Sequence, residues 1–122
     1  MKTVEVEACM GAWVDKLRDS TGIILVEGKK DVAALAMLGI HNVHVVKGRP
    51  HYQTVEFIAD QYVDCIILVD LDKEGKKLFA YFRRALSERG VRIDNRFRLF
   101  LFRYTPLRQI EGLPHYIQTL EN

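Results

Sequence analysis

The sequence predicts an α/β domain with a mainly parallel four-stranded sheet that is flanked by helices and preceded by an N-terminal helix. Short apolar, β-branched runs alternate with amphipathic helical patterns along the chain, and no linker, repeat or low-complexity segment separates them. Strands that alternate with helices predict right-handed crossovers, so the carboxyl ends of the strands meet at one edge of the sheet. The length of 122 residues suits a single domain, and we expect its core over about residues 22–104.

The first elements are short and have clear boundaries. A helix is predicted over residues 3–18, where Met10, Trp13 and Leu17 recur at helical spacing. The apolar run Ile23–Val26 predicts the first strand, which follows a Ser-Thr-Gly break in the helical pattern. The elements predicted next are helices over 31–38, 54–62 and 73–89 and strands over 42–47 and 65–69.

The last strand is predicted over residues 96–104. Leu99 to Phe102 is apolar at every position, which is typical of a strand that is covered by helices on both sides. The remaining segment, residues 105–122, is expected to be a tail that packs against the sheet.

Composition excludes several classes of protein. No run of apolar residues approaches the roughly 18 that a membrane span needs, and the N-terminus does not resemble a secretory signal. The two cysteines, Cys9 and Cys65, lack the spacing of a zinc site or a disulfide framework, and we interpret both as core residues. We therefore expect a cytoplasmic protein without a membrane partner.

The net charge of +2 conceals an uneven distribution of charge. Residues 73–108 contain 11 basic and 3 acidic residues, whereas the rest of the chain contains 7 basic and 13 acidic ones. A basic segment of this kind suits a polyanion such as a nucleic acid, and it is equally typical of an ordinary solvated surface.

Acidic residues follow two of the predicted strands. Glu27 comes directly after the first strand and Asp70 closes the third, so both are expected at the same edge of the sheet. Asp72 and Glu74 follow Asp70 at steps of two, which would direct all three carboxylates to one side of an extended segment. Because clustered carboxylates repel one another, a hard divalent cation is the expected compensation, and an all-oxygen ligand set favours Mg²⁺.

A structural interpretation of some of these acids remains open. Asp72 can act as the N-cap of the helix that begins near Lys73, and Glu74 is well placed in its first turn. Asp31 is interpreted in the same way, as a first-turn helix residue. Glu27 and Asp70 fit this alternative less well because each terminates an apolar strand.

Two segments together resemble the motifs of the Toprim superfamily. The run from Ile23 to Asp31 is similar to its first motif, an apolar strand followed by E-G-x-x-D. The run from Ile66 to Gly75 resembles its D-x-D segment, in the form D-x-D-x-E-G from Asp70 to Gly75. Val43 to Gly48 resembles the strand between them, and the similarity extends from about Gly22 to Tyr104. The chain looks closest to small stand-alone Toprim proteins and to the N-terminal domain of the 5S ribosomal RNA maturation nucleases.

The resemblance implies a Toprim fold and a magnesium-binding protein that acts on RNA or DNA by metal-dependent phosphodiester cleavage or phosphoryl transfer. It implies that Glu27 is the general acid or base and that Mg²⁺, for which Mn²⁺ can substitute, is held by carboxylates. The expected metal ligands are Glu27, Asp70, Asp72 and Glu74, and the expected contacts to phosphate or nucleic acid are Lys29, Lys30, Lys47, Arg49, Lys73 and Lys76. The short chain is not expected to accommodate the complete apparatus of a topoisomerase or a primase.

Two other function classes stay open on the sequence. The first is a non-catalytic module that binds metal with nucleotide or nucleic acid within a larger assembly, with a protein partner or as a homo-oligomer. The second is a phosphoacceptor receiver domain, which also places acids at strand ends but is expected to carry an acidic pair after its first strand, where this chain has Glu27-Gly28.

Overall fold

The computed structural model describes residues 3–121, and it describes side chains from residue 9 onward. Eleven elements follow one another in these residues. They are α1 (Thr3–Arg18), β1 (Ile23–Val26), α2 (Lys29–Met37), β2 (Val43–Val45), α3 (His51–Gln61), β3 (Asp64–Ile67), α4 (Lys73–Glu88), β4 (Arg92–Asp94), α5 (Arg96–Tyr104), a 3₁₀ turn (Ile110–Gly112) and α6 (Leu113–Glu121).

The four strands form one parallel sheet in the order β2-β1-β3-β4. This confirms the predicted α/β class and places β1 and β3 side by side at the centre. Ile24 of β1 lies opposite Val43 of β2 and Ile66 of β3. All strands therefore end at one edge, which we call the carboxyl edge, and the ends of β1 and β3 are neighbours there.

A hydrophobic cluster covers each face of the sheet. Ile24 and Val26 belong to the cluster formed with α1, α2, α5 and α6, whereas Ile23 and Leu25 belong to the cluster formed with α3 and α4. Successive residues of β1 alternate between the two clusters, as the pleat of a strand requires. Since β1 is buried on both faces, its sequence is uniformly apolar.

The predicted strand over residues 96–104 is wrong. Arg96–Tyr104 is helix α5, and the fourth strand is the three-residue segment Arg92–Asp94. Phe97 and Leu101 are buried four residues apart on one side of α5, whereas Leu99 and Phe102 are largely exposed. The run is apolar throughout because α5 has apolar residues on its exposed side as well as on its buried side. A short run of this kind has the same pattern as a buried strand.

Other boundaries differ by a few residues. The N-terminal helix and the first strand have the predicted bounds, while α2 and α3 begin two and three residues earlier than predicted. The C-terminal segment contributes Ile110 and Leu113 to the cluster beneath α1 and α2. Cys65 is fully buried, as expected, whereas Cys9 is half-buried. No helix within residues 3–121 combines the length and the apolar character that crossing a membrane requires.

Candidate functional site

A cavity of about 690 Å³ opens at the carboxyl edge of the sheet. It brings together seven of the ten predicted site residues, which come from the ends of β1, β2 and β3 and from the first turns of the helices that follow. These seven are Glu27, Lys29, Lys30, Lys47, Asp70, Asp72 and Glu74. We call this space the acidic cavity.

Glu27 and Asp70 meet because β1 and β3 are adjacent. Glu27 Oε1 accepts a hydrogen bond of 3.0 Å from the backbone N–H of Asp70, across 43 residues of sequence. Burial raises the pKa of Glu27, and the nearby charges of Asp70 and Asp72 raise it further, while the hydrogen bond from Asp70 opposes the shift. Glu27 is therefore held in a fixed position and binds a proton more strongly than an exposed glutamate does.

Asp70 is buried three residues beyond the end of β3, with 9% of its surface exposed. Its Oδ1 accepts a hydrogen bond of 2.9 Å from the backbone N–H of Ile110, which anchors the C-terminal segment to the site. Burial raises the pKa of Asp70, and repulsion from Asp31, Asp72 and Glu111 adds to this effect. One carboxylate oxygen of Asp70 is therefore hydrogen-bonded to the backbone, and other acidic side chains surround the group.

Asp72 has the capping role that the sequence left open, and it also lines the acidic cavity. Its side chain is the N-cap of α4 and accepts a hydrogen bond of 2.8 Å from the N–H of Gly75. A Cβ at position 75 would lie 1.8 Å from the carbonyl oxygen of Asp70, so only glycine allows the helix to start this close to the strand end. The glycine of the D-x-D-x-E-G segment therefore sets the distance between α4 and Asp70.

Asp31 belongs to the same group of acids. It is a first-turn residue of α2, as predicted, and its Oδ2 accepts a hydrogen bond of 3.0 Å from the N–H of Gly28. It is also buried and lines the acidic cavity, and burial raises its pKa, with a contribution from Glu111. The sequence signal for Asp31 was its place as the last residue of the E-G-x-x-D motif. Glu111, in the 3₁₀ turn, also lines the acidic cavity but belongs to neither motif.

Arg98 of α5 is the cation that the sequence interpretation missed at this site. Its Nε and Nη2 donate hydrogen bonds of 3.1 and 2.9 Å to the carbonyl oxygens of Val69 and Asp70. β4 ends at Asp94, opposite Ile66 of β3, so it does not cover Val69 and Asp70. Arg98 contacts the backbone of this uncovered segment. Burial lowers the pKa of Arg98, and the charges of Glu27, Asp70 and Asp72 counteract that effect.

The predicted cations are distributed unevenly. Lys47 packs over Gly28, where an added Cβ would meet its Cδ at 3.5 Å, and its charge favours the ionised form of Asp31. Arg49, Lys73 and Lys76 are exposed and do not line the acidic cavity. The site itself therefore has Lys29, Lys30 and Lys47 at its mouth and Arg98 behind it.

The lining residues fit a hard divalent cation. All the acidic groups offer carboxylate oxygens, and among the described residues neither a cysteine nor a histidine lines the acidic cavity. Burial raises the pKa values of Glu27, Asp31 and Asp70, and repulsion from neighbouring carboxylates adds a smaller contribution. Within residues 3–121 no cluster of three or more His, Cys, Asp or Glu residues forms a ready-made metal cage. Mg²⁺ suits such an open arrangement because it uses one or two carboxylates and keeps several water ligands.

Comparison with known proteins identifies the fold family. A family model for the Toprim domain matches residues 21–95, from the start of β1 to the end of β4. The chain belongs to the Toprim domain family. Toprim domains generally bind Mg²⁺, in agreement with the carboxylate groups that line the acidic cavity. Helices α1, α5 and α6 lie outside the matched segment, so the family model does not include Arg98.

Several similar proteins are archaeal UPF0292 proteins. The chain is 36% identical over 83 residues to one from Pyrococcus abyssi, and the match covers 68% of this chain and 63% of that relative. It is 33% identical over 100 residues to one from Thermococcus onnurineus, with 82% and 74% of the two chains covered. The chain thus spans somewhat less than two thirds of the length of the first of these relatives.

A solved structure of a protein from Aquifex aeolicus has a similar fold. The two superpose with a TM-score of 0.80 at 30% sequence identity, over 84% of this chain and 96% of that chain. The Toprim assignment replaces the receiver-domain alternative. The segment that matches the Toprim model includes both Glu27 and Asp70.

Proposed function

We propose that this Toprim domain acts on nucleic acid by magnesium-dependent phosphodiester cleavage or phosphoryl transfer. The observation that carries the proposal is the convergence of Glu27, Asp70 and Asp72 in a cavity lined by oxygen ligands and bordered by lysines. A phosphodiester carries the charge that this mixture of cation-binding acids and basic side chains would accommodate.

Asp70 and Asp72 are the residues that would hold Mg²⁺, with Glu74 at the exposed side of the same cavity. Each aspartate has one oxygen engaged by a backbone N–H, so its carboxylate is oriented before any ligand arrives. When bound, Mg²⁺ supplies neutralisation of the charge that develops on the phosphate oxygens.

Glu27 is the proposed proton carrier. Its position is fixed by the hydrogen bond from the Asp70 N–H, and burial raises its pKa above that of an exposed glutamate. A carboxyl group with a raised pKa is better suited to proton transfer near neutral pH. It would accept the proton of the attacking water or donate one to the leaving oxygen. Lys29, Lys30 and Lys47 would hold the substrate phosphate at the mouth of the cavity.

A non-catalytic binding module is the second candidate function. The observation that favours it is the absence of a three-residue metal cage among the described residues, since an open site also suits a metal that is shared with a bound nucleotide. In that case Glu27 would be a structural acceptor for the Asp70 N–H and would not move a proton.

The test is a cleavage assay on labelled RNA and DNA, single-stranded and duplex, in the presence of Mg²⁺ or of EDTA. The Glu27→Gln and Asp70→Asn variants keep the shape of each side chain and the acceptor for its backbone hydrogen bond. We expect Glu27→Gln to lower the cleavage rate by about 10²-fold or more, the usual contribution of a general acid or base. Asp70→Asn should lower the rate because it weakens the hold on Mg²⁺.

Matched controls are Glu56→Gln and Asp60→Asn, which change exposed acids on α3 outside the acidic cavity. Both should leave the rate unchanged. Calorimetric titration with Mg²⁺ separates the roles, because Asp70→Asn should weaken metal binding more than Glu27→Gln does. Tight nucleic-acid binding without turnover of any substrate would reject catalysis and support the binding module.

A further inference from the structure

The segment that contains α5 has an unusual distribution of charge. From Asn95 to Ile110 the chain contains four arginines and no acidic residue. Helix α4 is similar, since Glu74 is its one acid from Lys73 to Ser87. The two helices lie on opposite faces of the sheet and approach each other beyond the end of β4. Side chains of the two helices, together with Arg108 from the segment that follows α5, form one surface that we call the α4–α5 face. It consists of Lys76, Phe79, Arg83, Arg98, Phe102 and Arg108.

Most cations of this face lack a carboxylate partner. Among residues 3–121 the ion pairs of the basic segment are those of Arg84, Arg92 and Arg96. Lys76, Arg83 and Arg108 are exposed, and the described part of the chain brings no carboxylate within 4.0 Å of them. Their charge is therefore directed to solvent and is available to an anionic partner.

Aromatic rings lie between these cations. Lys76 and Arg83 flank Phe79 at spacings of three and four along α4, which places the three side chains on one side of that helix. The guanidinium of Arg98 lies 4.8 Å from the centre of the Phe79 ring. The guanidinium of Arg108 lies 5.8 Å from the centre of the Phe102 ring, and Phe102 is 49% exposed.

The α4–α5 face ends at the acidic cavity. The carbonyl oxygen of Arg108 accepts a hydrogen bond of 2.7 Å from the N–H of Leu71, which lies between Asp70 and Asp72. Gln109, the next residue, lines the acidic cavity. Arg98 makes the same connection from α5, because it contacts both Phe79 and the carbonyl oxygen of Asp70.

We infer that the α4–α5 face binds a single strand of nucleic acid and leads it into the acidic cavity, with a base stacked on Phe102 and phosphates held by Arg108, Arg83 and Lys76. The inference rests on the proposed function and specifies its substrate as single-stranded. An exposed ring stacks on an unpaired base, whereas the bases of a duplex are already stacked on one another. Arginines beside the ring supply the charge that follows the backbone.

The test is fluorescence anisotropy with a short labelled oligonucleotide, as a single strand and as a duplex, in EDTA so that binding is measured without cleavage. We expect Phe102→Ala to weaken single-strand binding about tenfold and to leave duplex binding unchanged. Phe102→Tyr should restore the affinity. Arg108→Gln should reduce the slope of log affinity against log salt concentration by about 0.7, the value for one phosphate contact on a single strand.

Tyr52→Ala is the matched control, because Tyr52 is a 58% exposed ring on α3 outside the α4–α5 face. It should bind like the native chain. Unchanged single-strand affinity in Phe102→Ala, or an equal loss on single strand and duplex, would overturn the inference even if the native protein cleaves nucleic acid. Binding of a single strand that depends on Phe102 but never leads to turnover would uphold the inference and reject the proposed cleavage. Failure of the native protein to bind any oligonucleotide would overturn both.

Discussion

The acidic cavity and the α4–α5 face differ in how their charges are held. In the acidic cavity, backbone N–H groups fix Glu27, Asp31 and Asp70, which are at least partly buried and repel one another. On the α4–α5 face, the cations other than Arg98 are exposed, and the described structure gives Lys76 and Arg83 no carboxylate partner. The fixed side chains of the acidic cavity suit a reaction at one defined atom. The exposed cations of the α4–α5 face suit a charged polymer whose sequence varies.

The two regions also differ in what they contribute to stability. Like charges held together reduce the stability of the folded state and are retained where function requires them. Exposed cations change stability little because water and salt screen them. Arg98 joins the regions, since it packs on Phe79 and hydrogen-bonds to the carbonyl of Asp70.

The largest effect is expected at the contact between α4 and the end of the third strand. In Gly75→Ala the added Cβ would lie 1.8 Å from the Asp70 carbonyl oxygen, and the backbone on both sides must move. We expect a loss of about 3 kcal/mol in the free energy of unfolding, the upper part of the usual range for overpacking. Urea denaturation measures it.

The control for that variant is Gly11→Ala in α1, where an added Cβ meets nothing within 4 Å. It should be neutral or stabilise the protein by up to about 1 kcal/mol because alanine is the better helix former. Equal stability of Gly75→Ala and the native protein would show that the close approach is not required.

Arg98→Gln is expected to have the next largest effect. It removes two charge-assisted hydrogen bonds to the carbonyls of Val69 and Asp70. We expect a loss of about 2 kcal/mol in thermal or urea denaturation. Arg98→Lys keeps the positive charge but lacks the planar guanidinium that donates to both carbonyls at once, so it should recover only part of this loss.

Arg103→Gln is the control on the same helix. Arg103 is exposed, so its replacement should change the free energy of unfolding by less than about 0.5 kcal/mol. If Arg98→Gln were equally mild, Arg98 would be one more cation of the α4–α5 face and not a support of the acidic cavity.

Removing one charge from the acidic cavity should stabilise the metal-free protein. Glu27→Gln and Asp70→Asn preserve the hydrogen-bond acceptors but reduce the repulsion that helps to raise both pKa values. We expect an increase of about 1 kcal/mol in the free energy of unfolding, the size of a like-charge interaction at about 4 Å in water. Saturating Mg²⁺ should reverse the order, so that the native protein becomes the more stable. A loss of stability in both variants without metal would show that repulsion is not significant.

The stability of the metal-free protein should depend on pH with a definite sign. Glu27, Asp31 and Asp70 have raised pKa values when folded, so the folded state binds more protons than the unfolded state between the ordinary and the raised pKa values. The free energy of unfolding should therefore decrease as the pH rises above about 4 through the raised values. Asp94, whose pKa is lowered by its hydrogen bonds with Arg96, acts in the opposite direction below its ordinary value.

The measurement is a series of urea titrations across this pH range on the native chain and on a Glu27→Gln, Asp70→Asn double variant. The double variant should lose most of the decrease, retaining the part that comes from Asp31. An identical pH profile in the two proteins would assign the dependence to other groups.

The sequence alone determined the α/β class, the first helix and strand, and the placement of Glu27 and Asp70 at strand ends. These follow from local periodicity and from the rule that parallel strands end at one edge. The E-G-x-x-D and D-x-D-x-E-G patterns also contained Asp31 and Gly75, although the importance of Gly75 is visible only as its distance from the Asp70 carbonyl.

Only the tertiary structure decided the nature of residues 96–104 and the roles of Arg98 and Glu111. Leu99 and Phe102 are apolar but exposed, so the hydrophobic pattern does not reveal which side of α5 is buried. Packing of the C-terminal segment against the sheet brings Glu111 into the lining of the acidic cavity. The same packing brings Arg98 to the carbonyl oxygen of Asp70 behind the cavity, 28 residues away in sequence. Local sequence predicts which residues end a strand, but contacts between distant segments depend on how the whole chain packs.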